Sequence, residues 1–147
     1  MIAIGSNHTG SKIKEELEKY LEEKKIKYKD VGVKKNEEIA YPEIATRVSK
    51  LVQSGECDCG ILISKTGLGM SIVANKYKGI KCVPCYDEYT ARYAKQYHNS
   101  NVIALGEEDL SIHTAICILR MWLATQYEAQ DSVEEDMIKE IEQENMK

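Results

Sequence analysis

One stretch of the chain, residues 61–75, has residue types and spacing that suit the binding of a negatively charged group. It starts as an apolar run typical of a buried strand, turns through Gly67 and Gly69, and continues in residues that favour a helix. The two glycines allow a tight turn and bring several backbone N–H groups, reinforced by the helix dipole, toward one point. Such a loop suits a phosphate or an oxyanion that develops during a reaction, and the same turn also serves plain packing of a strand against a helix.

Two histidines occupy polar turns near other apolar segments. His8 follows the first segment, and the His98–Asn99 pair stands just before the last short one. An imidazole titrates near neutral pH, so either side chain can act as an acid or a base. Ligands of an open parallel sheet bind beyond the carboxyl ends of its strands. We therefore expect the turns after strands one, three and four to converge there with the His98–Asn99 pair, although His98 would also suit helix capping or core packing.

The apolar pattern of the whole chain predicts the elements that position these residues. Short apolar runs predict five strands, and segments with helical periodicity separate them. This alternation predicts one α/β domain over residues 1–127, a three-layer αβα Rossmann-like sandwich around a five-stranded parallel sheet. The predicted strands lie at residues 1–5, 26–31, 61–64, 80–85 and 101–105, and the main helices at 11–25, 41–53, 87–96 and 112–127.

Residues 128–147 predict an acidic, helical C-terminal extension. This segment carries eight acidic residues and two lysines, so the net charge of −4 for the whole chain leaves the body at about +2. The predicted domain already forms a core without this further apolar stripe, so we expect the extension to pack on a second subunit. The residues of that stripe are Val133, Met137, Ile138 and Ile141.

Composition narrows the class of protein. A nearly neutral body implies no nucleic-acid partner. No apolar run is long enough to span a bilayer, and no basic-then-apolar leader opens the sequence, so we expect a cytoplasmic protein with no membrane partner. Five cysteines, an odd number, predict reduced thiols. The pairs Cys57/Cys59 and Cys82/Cys85 invite a zinc interpretation, but residues three apart in a strand face opposite ways, which favours buried, unreactive thiols.

Six groups of residues occur in one order along about the first 127 positions: Ile4-Gly-Ser-Asn-His-Thr-Gly10, Tyr41-Pro42, Thr66-Gly-Leu-Gly-Met-Ser71 with Ala74-Asn75-Lys76, Asp87-x-Tyr89-x-Ala91-Arg92, His98-Asn99-x-Asn101, and Ala104-Leu-Gly106. Together they resemble the motifs of a known family, the ribose-5-phosphate isomerase B and galactose-6-phosphate isomerase group. Members of that group are sugar-phosphate aldose–ketose isomerases.

The resemblance implies a proton transfer between C2 and C1 of an open-chain sugar or sugar phosphate through a cis-enediolate. It also implies a substrate bound between two subunits of a homodimer or a dimer of dimers, and no metal or organic cofactor. His98 would help to open the furanose ring, Thr66 and Ser64 would fill the other catalytic positions, and backbone N–H groups of the glycine loop would hold the oxygen that becomes negative. The implied substrate contacts are Asn7, His8, Tyr41, Lys65, Gly67, Leu68, Gly69, Met70, Asn75 and Asn99.

Several positions depart from the family pattern. Ser64 stands where most ribose-5-phosphate isomerases of this type have the cysteine that acts as base, and Met70 stands where another branch has a glutamate. A serine hydroxyl lacks the accessible pKa of a thiol and needs its own activating base. Asn7 replaces an aspartate. Lys65 replaces a glycine, which adds a cation that either faces an anionic ligand or reaches solvent.

The positions that bind the substrate phosphate in the family depart further from its pattern. Glu108, Asp131 and Glu134 or Glu135 align with positions at which family members hold the phosphate with arginines. An acid that faces a phosphate dianion opposes binding where an arginine favours it. The alignment therefore predicts that ribose 5-phosphate binds poorly in the family pose.

Three functional interpretations follow. The first is an isomerase of the family with a changed substrate, either an unphosphorylated sugar or one whose anion is bound by Lys65, His8 or Arg92. The second is a subunit that has lost catalysis but binds a sugar, regulates, or pairs with an active related chain, which the loss of both family bases favours. The third is a small nucleotide-binding or regulatory module, for which the sequence lacks a P-loop lysine motif and a full G-x-G-x-x-G.

Overall fold

Strands and helices alternate along the chain in the structure, a computed structural model that describes residues 1–129 and 132–146. The strands are β1 (Ile2–Ser6), β2 (Tyr28–Asp30), β3 (Cys59–Ser64), β4 (Cys82–Pro84) and β5 (Val102–Gly106). The helices are α1 (Ser11–Glu23), α2 (Tyr41–Gln53), α3 (Leu68–Ala74), α4 (Glu88–His98), α5 (Ile112–Ala124) and α6 (Val133–Asn145). None of these helices has the length and apolar character needed to cross a membrane.

The five strands form one parallel sheet in the order β2-β1-β3-β5-β4. The central strands β1, β3 and β5 are buried almost throughout, because helices cover both faces of the sheet. Their continuous apolar sequences are typical of a parallel sheet. The edge strands β2 and β4 are only three residues long and partly exposed. The predicted α/β sandwich with a five-stranded parallel sheet is confirmed.

Side chains that alternate along β3 supply the two apolar layers of the sandwich. Ile61 and Ile63 pack into a core with side chains of α1, α4 and α5, including the fully buried Trp122. Leu62 packs on the other face with side chains of α2 and α3. Because strand side chains repeat every two residues, Ser64 at the end of β3 faces the same layer as Leu62.

The C-terminal helix α6 begins after Ser132, whose hydroxyl accepts the Glu135 N–H at 3.0 Å. It contacts the body through Glu142, whose carboxylate accepts the Gly79 N–H at 2.9 Å. Its apolar face stays open in the single chain, with exposed fractions between 51% and 72% for Val133, Met137, Ile138 and Ile141. Packing of this face on a second subunit remains a prediction.

Candidate active site

The glycine loop leaves β3 at Ser64 and enters α3 at Leu68, as the sequence predicted. Gly67 has a φ of +79°, a left-handed conformation that favours glycine, and a Cβ there would lie 3.0 Å from the Leu105 carbonyl group. The buried hydroxyl of Ser64 accepts the Gly67 N–H at 2.9 Å. The Thr66 hydroxyl accepts the Leu68 N–H at 3.3 Å. Two N–H groups of the loop are therefore held by the loop's own hydroxyl groups.

The ring of Tyr41, at the start of α2, lies against this loop. A Cβ at Gly69 would stand 2.5 Å from Cε1 of that ring, so glycine is required for this close approach. The side chain of Met70 is fully buried in the layer shared by α2 and α3, whereas Leu68 is exposed. Met70 can therefore contact a ligand only through its backbone N–H, which lies in the first turn of α3.

Asn7 and His8 lie beside the loop, in the turn that follows β1. The N–H of Asn7 donates to the Ile63 carbonyl oxygen at 3.3 Å, and Oδ1 of Asn7 accepts the Thr9 hydroxyl at 2.7 Å. Asn7, His8 and Tyr41 line one open cavity of about 400 Å³. The turns after β1 and β3 therefore meet at the carboxyl edge of the sheet, as expected.

The expectation that His98 and Asn99 join this edge within the same chain is wrong. His98 is the last residue of α4, and the chain then enters β5 at Val102. Val102 pairs with Gly60 at the start of β3, whereas Ser64 pairs with Gly106 at the end of β5. Residues that precede a strand lie at its amino end, so His98 and Asn99 belong to the opposite edge. The four-residue span from Gly60 to Ser64 alone separates the two edges by about 13 Å.

His98 is exposed at the amino edge, where its ring lies 5.5 Å from the ring of Tyr93. It lines a cavity of about 360 Å³ between β4 and α6, together with Asn75. The carboxamide of Asn75 donates to the Cys82 carbonyl oxygen at 2.9 Å and accepts the Cys82 N–H at 2.8 Å. Asn75 therefore holds α3 to the edge strand β4, and it lies with His98 rather than with the glycine loop.

The segment after β5 runs beside the glycine loop. The N–H of Glu107 donates to the Ser64 carbonyl oxygen at 2.9 Å, and the N–H of Glu108 donates to the Lys65 carbonyl oxygen at 3.0 Å. The Lys65 ammonium lies 3.9 Å from a Glu108 carboxylate oxygen, and both side chains are largely exposed. Glu108, which aligns with a family arginine, thus stands next to the loop, and its charge offsets the cation that Lys65 adds.

By the resemblance, the other arginine positions are held by Asp131 and by Glu134 or Glu135, and the two glutamates lie in the first turn of α6. Glu135 accepts a hydrogen bond from the Tyr127 hydroxyl. Glu134 is exposed at the start of the helix. Asp131 lies outside the described residues.

Sequence reasoning gave no separate role to Glu107. One of its carboxylate oxygens accepts the Ile13 N–H at 2.9 Å, which satisfies a donor in the first turn of α1. Negative charge at this end of a helix is favourable. An acid directly after β5 is the sequence feature that indicates this contact. The carboxyl ends of parallel strands and the starts of the following helices lie at one edge of the sheet, so such an acid can reach a helix start.

A charge cluster beside His8, which joins a buried lysine to a partly exposed aspartate, was also missed. The Lys14 ammonium is 5% exposed and lies 2.8 and 2.7 Å from the two carboxylate oxygens of Asp30, and it donates to the Val33 carbonyl oxygen at 3.0 Å. A carboxyl oxygen of Glu18 lies 3.8 Å from the same ammonium. These side chains line a cavity of about 820 Å³ that His8 also borders. The sequence analysis gave no role to Lys14 or Glu18, which are two of many charged residues in α1.

The two carboxyl groups of this cluster share one negative charge. Burial, and then the neighbouring Asp30, raise the pKa of Glu18 from 4.5 to about 8. Burial alone would raise the pKa of Asp30 as well, but hydrogen bonds from Glu18, Lys14 and the Gly32 N–H hold it below its ordinary value of 3.8. Glu18 is therefore the protonated member of the pair near neutral pH, and Asp30 carries the charge that Lys14 balances.

Stability is expected to fall as the pH rises from about 6 to about 8. In this range the folded protein keeps a proton on Glu18 that the unfolded chain, with an ordinary pKa of 4.5, has lost, so the free energy of unfolding falls by up to about 1.4 kcal/mol per pH unit. The lowered pKa of Asp30 acts only at acidic pH and leaves this range unchanged. Urea unfolding of the wild type and of Glu18→Gln, whose amide resembles the neutral carboxyl, measures the effect. Equal slopes against pH in the two proteins would contradict it.

The five cysteines are unpaired, and all except Cys59 are buried. Burial raises the pKa of Cys59 to about 11 and the pKa values of Cys82 and Cys85 to about 12, so these thiols are uncharged near neutral pH. The Cys57/Cys59 pair lies at the start of β3 and the Cys82/Cys85 pair at β4, and β5 separates these strands. Two strand spacings are about 10 Å, which favours unreactive thiols over a shared metal ion.

A parallel α/β sheet with a glycine loop at the carboxyl end of its central strand defines a class of proteins that bind small ligands beyond the strand ends. Residues 2–141 match the family model described as Ribose/Galactose Isomerase. The chain belongs to this family of sugar-phosphate isomerases, which confirms the resemblance drawn from the motifs.

Relatives and a solved structure agree with this assignment. The chain is 39% identical over 127 residues to ribose-5-phosphate isomerase B of Escherichia coli, which covers 86% of this chain and 85% of that protein. It is 34% identical over 134 residues to D-erythrulose-4-phosphate isomerase 2 of Mycolicibacterium smegmatis, and the match covers 89% of this chain and 88% of that protein. The structure of Clostridium thermocellum ribose-5-phosphate isomerase B is similar with a TM-score of 0.93 at 37% identity, over 97% of each chain.

Proposed function

We propose that this protein is an aldose–ketose isomerase that acts on a sugar or sugar phosphate through a cis-enediolate, at a site completed by a second copy of the chain. The observation that carries the proposal is the position of two groups on one sheet. The loop with Thr66 lies at the carboxyl edge, and His98 is exposed at the amino edge. A substrate can contact both groups only if they come from two chains. The exposed apolar face of α6 offers surface for that contact.

The proposed chemistry assigns a separate task to each group. His98 of the partner subunit exchanges the proton that opens the sugar ring, because an imidazole gains and loses protons near neutral pH. The open-chain aldose then loses the proton on C2, and its C1 oxygen takes up negative charge. Donors of the loop, including the Thr66 hydroxyl, stabilise that oxygen. A proton then moves from the C2 hydroxyl to the C1 oxygen, and a proton added at C1 completes the ketose.

The charges near the loop favour a substrate with less negative charge than ribose 5-phosphate. Lys65 is paired with Glu108. By the resemblance, Glu134 or Glu135 of α6 stands where an arginine would hold a phosphate, and in the proposed dimer α6 reaches the loop from the second copy together with His98. A paired lysine attracts an anion less strongly than unpaired arginines do. The names of two relatives, which give different sugar phosphates, support a family in which the sugar varies.

Proton NMR in D₂O tests the proposal with a panel of free and phosphorylated pentoses and hexoses. Deuterium is expected to enter at C2 of at least one sugar, because loss of the C2 proton is the step common to every enediolate isomerase. Incubation with Thr66→Ala is the control for exchange that the active site does not cause. A folded protein that gives no exchange with any sugar would overturn the proposal.

A second candidate is a catalytically impaired sugar-binding or regulatory paralogue, or one subunit of a hetero-oligomeric isomerase. Ser64 and Met70 favour it, because by the resemblance each stands where one branch of the family has its base, and the Met70 side chain is fully buried. Saturable binding of a sugar without deuterium exchange would support this candidate. Exchange that appears only after addition of a related chain would identify the hetero-oligomer.

A further inference from the structure

The side chain of Ser64 is directed into the loop that it precedes. The residue is 7% exposed, and its Oγ accepts the Gly67 N–H at 2.9 Å. Gly67 has a φ of +79° and packs so closely on Leu105 that a Cβ would lie 3.0 Å from the Leu105 backbone. The hydrogen bond from Gly67 therefore joins the end of β3 to the one residue of the loop that adopts the left-handed conformation.

The same hydrogen bond argues against Ser64 as the base. Within residues 1–129 and 132–146, the only hydrogen bond of the Ser64 hydroxyl is the one from Gly67. A serine needs a neighbouring base to remove its proton, and the charged group nearest in sequence, Lys65, lies beside Glu108. His98 lies at the other edge of the sheet. An N–H that donates to Oγ also withdraws electron density from the oxygen, which lowers its basicity.

Thr66, two residues further along, also accepts a backbone N–H of the loop. Its Oγ1 accepts the Leu68 N–H at 3.3 Å. A hydroxyl has one proton to donate and two lone pairs to accept with, so each of these side chains keeps its own proton after it accepts a backbone N–H. Ser64 and Thr66 are therefore arranged as hydrogen-bond donors, and the N–H groups of Gly67 and Leu68 are already occupied.

We propose that Ser64 is a positioning residue that fixes the glycine loop and thereby presents Thr66 to the substrate, while another group moves the C2 proton. This assignment rests on the proposed isomerase function for its kinetic consequences. Its structural consequence, the restraint of the Gly67 amide, does not depend on activity. The two consequences can therefore be measured separately.

Amide hydrogen exchange measured by NMR tests the structural consequence. Ser64→Ala is expected to speed exchange of the Gly67 amide by about tenfold, since it removes one net hydrogen bond. Ser49→Ala is the matched control, because Ser49 is a fully buried serine whose hydroxyl has no hydrogen-bond partner among the residues that the structure describes. It is expected to leave the Gly67 amide unchanged. Unchanged exchange of that amide in Ser64→Ala would overturn the proposal, whatever the activity of the protein.

Deuterium incorporation at C2 tests the kinetic consequence. Ser64→Ala is expected to retain about a tenth of the wild-type rate with an unchanged pH profile, because the loss is one of loop position. Ser64→Cys is expected to show no gain, because a thiol is a weaker acceptor than a hydroxyl. A large gain in Ser64→Cys with a new ionisation near pH 8.5, or complete loss in Ser64→Ala, would instead mark position 64 as a base and overturn the proposal. A wild type without exchange would refute the proposed function, and the Gly67 amide would still decide the role of Ser64.

Discussion

A His98→Ala variant is expected to lose all turnover of a cyclic sugar, and activity is expected to return when it is mixed with an inactive Thr66→Ala variant. The physical reason is the distance between the two edges of one sheet. A site that uses both side chains takes Thr66 from one copy and His98 from the other. In a mixed dimer, one site loses both groups and the other keeps both.

The size of the recovery follows from symmetry. Random reassociation after co-refolding places half of the chains in mixed dimers, and each mixed dimer has one intact site, so the mixture should reach about a quarter of the wild-type rate. The variants refolded separately and then combined without subunit exchange serve as the control. No recovery in verified mixed dimers would show that the two side chains do not share a site. Undiminished turnover in His98→Ala alone would contradict a role in ring opening.

A Lys14→Met variant is expected to lose about 2 kcal/mol of unfolding free energy, because the buried ammonium makes charged hydrogen bonds that methionine cannot make. The substitution leaves the Asp30 carboxylate without its cation, and the Val33 carbonyl oxygen without its donor, at the cluster between α1 and β2. The Asp30 side chain is 35% exposed, so water still solvates part of the charge that remains, and the loss comes mainly from the hydrogen bonds of the buried ammonium. Urea unfolding at pH 7 measures the loss.

Two further variants separate this effect from a general response to lysine removal. Lys19→Met removes an exposed lysine of the same helix, paired with Glu16, and should change stability by less than about 1 kcal/mol. The double variant Lys14→Met with Asp30→Asn should recover part of the loss, since it removes the uncompensated charge. A Lys14→Met protein as stable as the Lys19→Met protein would contradict the assigned cost.

The fold was predictable because its signals are local. Apolar runs, helical periodicity and the glycines at 67 and 69 each report on a few neighbouring residues, and a parallel sheet follows from their alternation. The Lys14 cluster was not predictable in this way, because its partner Asp30 lies 16 residues away on a different element. A lysine within an amphipathic helix normally marks the solvated face, and only the packed structure shows that this one is buried.

The candidate site was predicted in part. The motifs brought Asn7, His8, Tyr41 and the loop together correctly, because each follows a strand or opens the helix beside one. His98 was assigned to the wrong edge, although a residue just before β5 must lie at the amino end of that strand. The hydrogen bond from Gly67 to Ser64 depends on side-chain direction at the end of β3, which residue type alone does not give.

The short edge strands restrict how copies of this chain can associate. β2 and β4 offer three residues each, and Pro84 in β4 has no N–H to donate. Two sheets joined edge to edge would gain few backbone hydrogen bonds, which also guards the protein against open-ended strand addition. Contacts between copies would then depend on side chains, of which α4 offers the exposed Tyr89, Tyr93 and Tyr97, and α6 offers its apolar face. Substitutions on these two helices would change which chains associate and leave the sheet intact.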